Sequence, residues 1–321
     1  MHATPMRNTH FRSPWKLAVF SILIAGCFAL AVTLSGQTVS VGPAFYSLQQ
    51  AAPAQGGSTA AAPARVWIGP DGKPLPFKND DEILEFLRTA KVVKLKDIPT
   101  GVTGPRKALL EKDGIQADAV FRDVHEDKQM VKLGGGGTEM FFRDDYIFEP
   151  AAYEMSRLLG MDNVPPAVLA TVRGTKGSLQ IWVEGAMTSG DRIKNKVVPP
   201  DQTSYNLQLF NMHFFDALIY NTDRNPGNIL IDKDWKVWLI DHTRAFRRQE
   251  TLNNPQGILQ CDRKLYAALQ ALDPAEVHKR LEPFLRKAEI DAILKRRDKI
   301  VEIIRNRIAE LGEDKVLYDT D

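Results

Sequence analysis

The sequence predicts an α+β domain of two lobes, a smaller strand-rich lobe followed by a larger helical lobe. Three observations support this prediction. Alternating apolar residues and turn signals fill residues 91–187, whereas helical spacing dominates after residue 200. An 18-residue run without charge precedes both regions, and it is followed by a stretch rich in Ala, Gly, Pro and Gln. We therefore divide the chain into an apolar N-terminal part, a flexible linker, a first lobe and a second lobe, at residues 1–36, 37–64, 65–187 and 188–321.

The composition is that of an ordinary globular protein, with 44% hydrophobic and 26% charged residues. The formal net charge is only +2, and the sequence has no basic tract, zinc-finger spacing or aromatic-rich basic patch. We therefore expect no nucleic-acid partner. Of the two cysteines, Cys27 lies in the apolar run and only Cys261 lies in the predicted domain, so no internal disulfide is expected.

The charge-free run at residues 17–34 has the features of a membrane helix. Three basic residues, Arg7, Arg12 and Lys16, precede it, and no acidic residue occurs before residue 37. The run is close to the lower length limit for a bilayer span, and its positive flank predicts a cytoplasmic N-terminus. We expect a single-pass anchor with the folded domain in the periplasm or outside the cell. The alternatives are a cleaved signal peptide, which would give a secreted protein, and lipidation at Cys27.

The first lobe combines strands with two helices. Ordered structure is expected to begin near Val66, and acidic residues open a short amphipathic helix at 80–87. A second helix is predicted at about 148–159, and the four glycines 134–137 predict a flexible loop before it. The apolar alternation predicts strands at residues 92–98, 107–111, 117–124 and 177–186.

The second lobe is predicted to be helical apart from two short strands. Apolar residues from Ile290 to Leu311 recur at spacings of three or four, which predicts a long amphipathic helix at the end of the chain. The basic cluster Lys295-Arg296-Arg297 on this helix is predicted to face solvent. His213 and His242 are predicted to be structural, although His242 could also support the acid that precedes it.

Two polar segments interrupt the apolar runs of this lobe. The first begins at Asp223 and ends at Asn228, and the second follows the run Val237–Ile240 and begins with Asp241. Such residues belong at the ends of strands or helices, where they can face a cleft. An acid, an amide and a second acid suit phosphoryl transfer from a metal-bound nucleotide, because one carboxylate orients the attacking hydroxyl and the other two groups hold divalent cations. Their oxygen atoms favour Mg²⁺ or Mn²⁺ over zinc.

The pattern Asp-Arg-x-x-x-Asn followed by Ile-Asp-His resembles the catalytic and metal-binding loops of atypical kinases. These are the phosphoinositide-kinase lineage, the HipA-like kinases and the secreted Golgi casein-kinase group. Similarity to the last group extends furthest, because the segment 149–160 resembles its helix C, with Val164-Pro165-Pro166 following in both. Gly177-Ser178-Leu179-Gln180 resembles the strand that leads to the hinge, and 216–223 resembles the run before the catalytic loop. The resemblance covers roughly residues 100–246 and implies a protein-kinase-like fold.

The resemblance also implies roles for individual residues. Asp223 would be the catalytic base, Asn228 and Asp241 would bind the metal, and Glu149 would fix the cation that contacts the nucleotide. Trp182 and Val183 would lie near the adenine. The phosphate-covering turn would be formed by Gly101, Val102, Thr103 and Gly104.

Two departures from the family pattern concern the nucleotide site. The position expected to hold a lysine carries Arg122, whose planar guanidinium differs in reach from an ammonium group. Lys107 and Lys132 are possible substitutes. Asp241 is followed by His242-Thr243-Arg244 with no Ala-Pro-Glu-like segment, so regulation by loop phosphorylation is not expected.

These observations lead to two hypotheses for function. The first is a kinase that uses ATP with Mg²⁺ or Mn²⁺ to phosphorylate a hydroxyl group on a protein, lipid, sugar or other small molecule. The second is a catalytically inactive pseudokinase that serves as a membrane-tethered binding or scaffold protein. Arg122 motivates the second hypothesis, and so does the expected location outside the cytoplasm, where ATP is scarce.

Overall fold

The structure is a computed structural model that describes residues 65–99, 104–132 and 137–320. The predicted membrane segment, the linker, residues 101–103 and most of the glycine loop lie outside these ranges. Across the described ranges, no helix combines the length and the apolar character needed to cross a membrane. The domain boundaries proposed from the sequence stay predictions.

The strand-rich part of the chain is built around one antiparallel sheet of five strands, in the order β1-β2-β3-β7-β6. Strands β4 and β5 form a separate antiparallel hairpin. The predicted strands correspond to β1, β2, β3 and β7, although β7 ends five residues before the predicted end at residue 186, and β4, β5 and β6 are additions to them. The elements in chain order are α1 (Asp80–Thr89), β1 (Lys91–Asp97), β2 (Arg106–Lys112), β3 (Ile115–Arg122), β4 (His125–Lys132), β5 (Thr138–Asp145), α2 (Phe148–Leu158), β6 (Ala167–Val172) and β7 (Thr175–Ile181).

Both helices of this part are confirmed near their predicted bounds. Helix α1 begins after Asn79, whose side chain accepts a hydrogen bond from the backbone of Glu82, and it buries an apolar face against β6 and β7. Helix α2 begins at Phe148 and buries nearly its whole first two turns, including Glu149. A carboxylate that is completely buried at the start of a helix requires specific partners, so this position marks a polar site within the core.

The remaining part of the chain is mainly helical, as predicted. A small antiparallel sheet has the strand order β10-β9-β8, and β11 and β12 form a parallel pair. Helix α4 ends at Ile219, and the next residue, Tyr220, adopts a left-handed conformation with φ of 53°. The elements are β8 (Met187–Thr188), α3 (Ser189–Lys194), α4 (Gln202–Ile219), β9 (Ile229–Ile231), β10 (Val237–Leu239), β11 (Cys261–Asp262), α5 (Arg263–Gln270), α6 (Pro274–Leu281), α7 (Lys287–Leu311), α8 (Glu313–Val316) and β12 (Leu317–Tyr318).

The long helix α7 confirms the periodicity but corrects one prediction. Arg296 was expected to face solvent and is instead completely buried. Its guanidinium donates to the backbone oxygens of Leu218, at the end of α4, and of Arg247 and Gln249. It lies on the apolar stripe of α7 because it is three residues after Ile293. A buried arginine therefore joins the end of α4 to the segment that follows Asp241.

Candidate active site

A buried ion pair joins the sheet to helix α2. Arg122 is the last residue of β3, and its Nε lies 3.5 Å from Oε1 of Glu149 in the first turn of α2. Both side chains are almost completely buried. Gly177 on the neighbouring strand makes this arrangement possible, because a Cβ at that position would lie 2.3 Å from the backbone oxygen of Arg122. The residue at the expected lysine position thus contacts the helix acid.

Glu149 is held by three further contacts. The backbone N–H of His242 donates to Oε1 at 2.9 Å, the ring Nδ1 of His242 lies 3.4 Å from Oε2, and the amide of Gln180 donates to Oε2 at 3.4 Å. Burial alone would raise the pKa of Glu149, but the charge of Arg122 and the bonds from His242 outweigh it and lower the pKa to about 2. Glu149 is therefore ionised at any physiological pH.

The same arginine also faces Asp241. Nη2 of Arg122 lies 3.7 Å from Oδ2 of Asp241, whose Oδ1 accepts a hydrogen bond from the hydroxyl of Thr243 at 3.1 Å. Asp241 has a φ of 57°, a left-handed conformation that non-glycine residues adopt chiefly at special sites. The hydrogen bond from His242 to Glu149 fixes the chain directly after it. Arg122 therefore lies between two carboxylates from distant parts of the sequence.

The guanidinium of Arg122 is not fully satisfied by these contacts. Its two short approaches are ion pairs at 3.5 and 3.7 Å, and its Nε and Nη1 have no hydrogen-bond partner within the described ranges. Burial works to lower the pKa of Arg122, but the charges of Asp241 and Glu149 raise it above its ordinary value, so the cation is retained. A permanent cation with unused buried donors is suited to an anionic ligand.

The segment from Asp223 to Asn228 forms a compact loop. The backbone N–H of Asp223 donates to the side chain of Asn221, and Nδ2 of Asn228 donates to the backbone oxygen of Asp223 at 2.9 Å. Gly227 donates to the side chain of Asn225, which fixes the turn that contains Pro226. An amide that donates through its nitrogen can still bind a cation through its oxygen. Asn228 can thus serve as both a loop support and a ligand.

Arg224 fastens this loop to the rest of the site. Its Nε and Nη2 bind the two carboxylate oxygens of Asp216 at 2.9 and 3.0 Å. Its Nη1 donates to the backbone oxygens of Asn228 and Ile240 at 2.6 and 2.7 Å. Nη2 also lies 3.0 Å from Nε2 of His242, so these contacts assign the proton of that ring to Nδ1, which faces Glu149. Arg224 thereby connects α4, the loop and the end of β10.

Arg224, Asp216 and Asp144 contribute to the site, although no role was predicted for them. Asp144 lies near the end of β5 and is buried, and its Oδ1 has no hydrogen-bond partner in the described part of the chain. Burial raises the pKa of Asp144, and the charge of Asp241 raises it further. A buried, unpartnered carboxylate oxygen beside a second acid is an environment that a divalent cation would stabilise. The donors present are oxygen atoms, which fit Mg²⁺ or Mn²⁺.

The structure says less about the residues predicted to contact the phosphates and the adenine. Gly104 precedes β2 and has a φ of 63°, and Gly101, Val102 and Thr103 lie outside the described residues. Trp182 and Val183 follow β7, the strand beside β3, and the backbone N–H of Trp182 donates to the Asp118 oxygen at 2.9 Å. Their roles stay predictions.

Neither suggested lysine replaces Arg122. Nζ of Lys107 lies 2.8 Å from Asp118 and 3.1 Å from Glu184, and it sits 4.2 Å from the ring centroid of Trp182. Lys132 is exposed at the end of β4. Arg122 is thus the cation that contacts the helix acid Glu149. His242 is buried as predicted, and its bonds to Glu149 give it a positioning role. His213, by contrast, is exposed on α4 and is not packed in the core.

Comparison with known proteins identifies the fold. No protein-family model matches the chain, and no curated protein matches it in sequence. Solved structures do match. The structure of hydra Fam20 with sugar shares 16% identity at a TM-score of 0.56 and covers 74% of this chain and 92% of its own. The Golgi casein kinase shares 17% identity at a TM-score of 0.53, and its structure with Mn/ADP bound shares 18% identity at a TM-score of 0.53. Each of these two covers 75% of this chain and 80% of its own.

At these identities the similarity concerns the fold. The described part of the chain has a mixed fold of strands and helices similar to the folds of hydra Fam20 and the Golgi casein kinase, which confirms the kinase-like fold that the resemblance in sequence implied. The N-terminal membrane helix that was predicted to precede this fold lies outside the described residues.

Proposed function

We propose that this chain is an atypical kinase that transfers the γ-phosphate of ATP to a hydroxyl group of an acceptor. The observation that carries the proposal is the cluster of Arg122, Glu149 and Asp241. The guanidinium of Arg122 is buried between the two carboxylates and has donors without a hydrogen-bond partner among the described residues. Phosphate oxygens are suitable acceptors for such donors, and the fixed charge of Glu149 keeps the guanidinium in place.

The residues around this cluster can divide the remaining work. Asp223 would orient the acceptor hydroxyl and take its proton, and the loop bonds to Asn221 and Asn228 hold the backbone of Asp223 in place. Asn228 and Asp241 would hold Mg²⁺ or Mn²⁺, which when bound would offset the charge of the phosphates. Arg224 would hold the loop and the end of β10 in a fixed relative position, because it donates hydrogen bonds to both.

The structural neighbours support the choice of nucleotide and metal. One of them is the Golgi casein kinase determined with Mn/ADP bound, and another is hydra Fam20 determined with sugar. We therefore propose ATP with Mn²⁺ or Mg²⁺ for this chain. Proteins and sugars are the first acceptor classes to examine, and lipid head groups follow because of the predicted membrane anchor.

A thermal-unfolding experiment tests the nucleotide site. The full chain is unfolded with and without ATP and Mg²⁺ or Mn²⁺, beside Asp241→Ala and the exposed control Asp234→Ala. Ligand at about a hundred times its Kd adds about 2.7 kcal/mol to the free energy of unfolding, which raises the Tm by a few degrees. We expect a metal-dependent rise that is lost in Asp241→Ala and kept in Asp234→Ala. A rise of equal size in both variants would reject Asp241 as a ligand.

Phosphate transfer is tested separately with labelled ATP and a panel of protein and sugar acceptors. A positioned general base contributes about a hundredfold or more to the rate, so Asp223→Ala should lose at least this factor while still binding nucleotide. Undiminished transfer by Asp223→Ala would remove the residue from the mechanism. The same Asp234→Ala variant serves as the control.

One observation favours a second candidate, a pseudokinase. Arg122 already offsets the charge of Asp241 in this structure, at 3.7 Å, and a cation would compete with it. Arg122→Lys separates the two candidates. A kinase that uses the arginine fork should lose nucleotide affinity in this variant, whereas a gain of affinity would indicate a degraded site.

We also propose that the N-terminal segment anchors the domain to a membrane, with the domain in the periplasm or outside the cell. Its support is the charge-free run at residues 17–34 after three basic residues. In fractionated cells the full-length chain should remain with the membranes. In a separate experiment, protease added to cells whose outer membrane, where present, has been permeabilised should digest the folded domain. Recovery of a shortened, soluble chain would favour signal cleavage instead.

A further inference from the structure

A small cavity lies between the β4–β5 hairpin, the segment that follows Asp241 and the beginning of α7. Its volume is about 120 Å³. Neither Arg122 nor Glu149 lines it, so it is separate from the cluster described above. We refer to it as the cationic pocket because five basic side chains line it, namely Lys128, Arg143, Arg247, Arg248 and Arg286.

Two of these arginines are buried and incompletely bonded. Arg143 and Arg247 are 6% and 4% exposed, and the Nε of each has no hydrogen-bond partner among the described residues. Nη1 of Arg247 donates to the backbone oxygen of Arg143, and its Nη2 lies 2.8 Å from Glu139 outside hydrogen-bonding geometry. Burial lowers the pKa of Arg247 despite the nearby Glu139. An uncompensated buried donor is costly, and an anion would relieve that cost.

The lining also includes two carboxylates, Asp127 and Glu289, and each is paired with one of the arginines of the pocket. Arg143 binds Asp145 at 2.7 Å and Glu289 at 2.5 Å. Arg286 is paired with Asp127. At the rim, Lys128 binds Glu126 at 2.6 Å.

The rim also carries an exposed arginine, Arg248. The guanidinium of Arg248 lies 5.7 Å from the ring centroid of Phe141, and the side chain is exposed. It is thus available to contact a ligand that enters the cavity.

The size of the cavity limits the ligand. Sites for drug-sized molecules and cofactors measure about 300–1,000 Å³, whereas a water molecule takes about 30 Å³. A cavity of about 120 Å³ therefore holds a group of a few heavy atoms and cannot enclose a whole nucleotide. Guanidinium groups bind phosphate oxygens in paired hydrogen bonds. We propose that the cationic pocket binds a phosphate-sized oxyanion, either as free phosphate or as the terminal group of a phosphate monoester.

The pocket is connected to the candidate active site through the backbone. Arg143 is followed by Asp144 and Asp145, and the backbone N–H of Asp145 donates to the oxygen of Thr243 at 2.9 Å. Arg247 belongs to the same segment as Thr243. An anion that ties Arg143 to Arg247 would therefore restrain residues 243–248 directly after Asp241. The effect on catalysis rests on the proposed function, whereas binding of the anion does not.

Isothermal titration tests the binding. Inorganic phosphate and, in a second arm, O-phosphoserine are titrated into the full chain at low salt, with chelator and without nucleotide. The test variant is Arg248→Gln, which changes an exposed rim residue and leaves the buried ion pairs intact. The control is Arg88→Gln, which removes one exposed arginine from helix α1.

We expect saturable binding of at least one ligand that is weakened about tenfold by Arg248→Gln, because one charge-assisted contact is lost, and unchanged in Arg88→Gln. The preferred ligand then distinguishes free phosphate from a monoester. No saturable binding, or equal weakening in both variants, would overturn the proposal.

Hydrogen exchange tests the connection to the active site without relying on catalysis. Phosphate should slow amide exchange in residues 243–248 of the wild-type chain and have less effect in Arg248→Gln at the same concentration. Binding without any change in exchange there would overturn the proposed connection to the active site.

Discussion

The buried carboxylate of Glu149 gives the sharpest test of the site, because its ionisation is coupled to folding. Its pKa is about 2 in the folded chain, against an ordinary value of 4.5. Glu149→Gln keeps the size of the side chain and removes the charge. A pKa difference of this size corresponds to about 3 kcal/mol of free energy of unfolding.

The sign of the pH dependence follows from the direction of the shift. Because the pKa of Glu149 is lowered on folding, its contribution to stability is fully present above about pH 4.5 and is lost as the pH falls from 4.5 towards 2. Many other carboxylates titrate in this range, so the informative quantity is the difference between the wild-type chain and Glu149→Gln. That difference should be constant near neutral pH and should shrink by up to about 1.4 kcal/mol per pH unit below 4.5.

Urea unfolding followed by tryptophan fluorescence measures this difference at several pH values from 6 down to about 3. Glu154→Gln, on the same helix and paired with Arg280, is the matched control for the loss of one carboxylate. We expect a smaller effect for the control, because partly exposed ion pairs contribute about 0–1 kcal/mol. A wild-type to Glu149→Gln difference that stays constant through pH 3 would refute the proposed coupling between Arg122, Glu149 and His242.

Three further substitutions test the supports of the site. Arg224→Lys removes the paired bonds to Asp216, so phosphate transfer and thermal stability should both fall, and an unchanged Tm would contradict the role of Arg224 as a clamp. Gly177→Ala places a Cβ 2.3 Å from the backbone oxygen of Arg122. Because this clash should displace Arg122, a nucleotide titration should show weaker binding than in wild type. Arg296→Met leaves buried backbone oxygens unpaired and should cost about 2–5 kcal/mol in urea unfolding, whereas Lys295→Met should cost much less.

Most of the secondary structure could be predicted from the sequence because its periodic signals are strong. The predicted strands at 92–98, 107–111 and 117–124 differ from β1, β2 and β3 by one or two residues. The β4–β5 hairpin escaped prediction because β4 is exposed along almost its whole length. Such a strand has no buried side, and its sequence therefore lacks the alternation of apolar and polar residues that identifies a strand.

The order of Asp223, Asn228 and Asp241 could be read from local sequence, but their supports could not. Arg224 binds Asp216 from the preceding helix and Ile240 from a later strand, and only the folded chain brings these together. The buried position of Arg296 did have a signal. It lies three residues after Ile293 and four before Ile300, so its spacing places it on the apolar stripe. Arginine side chains are rarely fully buried, and here the helical spacing outweighs that tendency.

The arginine at position 122 is compatible with a working site for a geometric reason. A lysine ammonium is a compact point charge, whereas a guanidinium presents nitrogens on several edges. In this structure Nε of Arg122 faces Glu149 and Nη2 faces Asp241, while Nη1 is buried without a hydrogen-bond partner among the described residues. The contact between Arg122 and Glu149 can therefore persist if Asp241 binds a metal cation and gives up its ion pair with Arg122. Substitution of lysine by arginine at this position changes which atoms are available to a phosphate, and it does not by itself indicate loss of function.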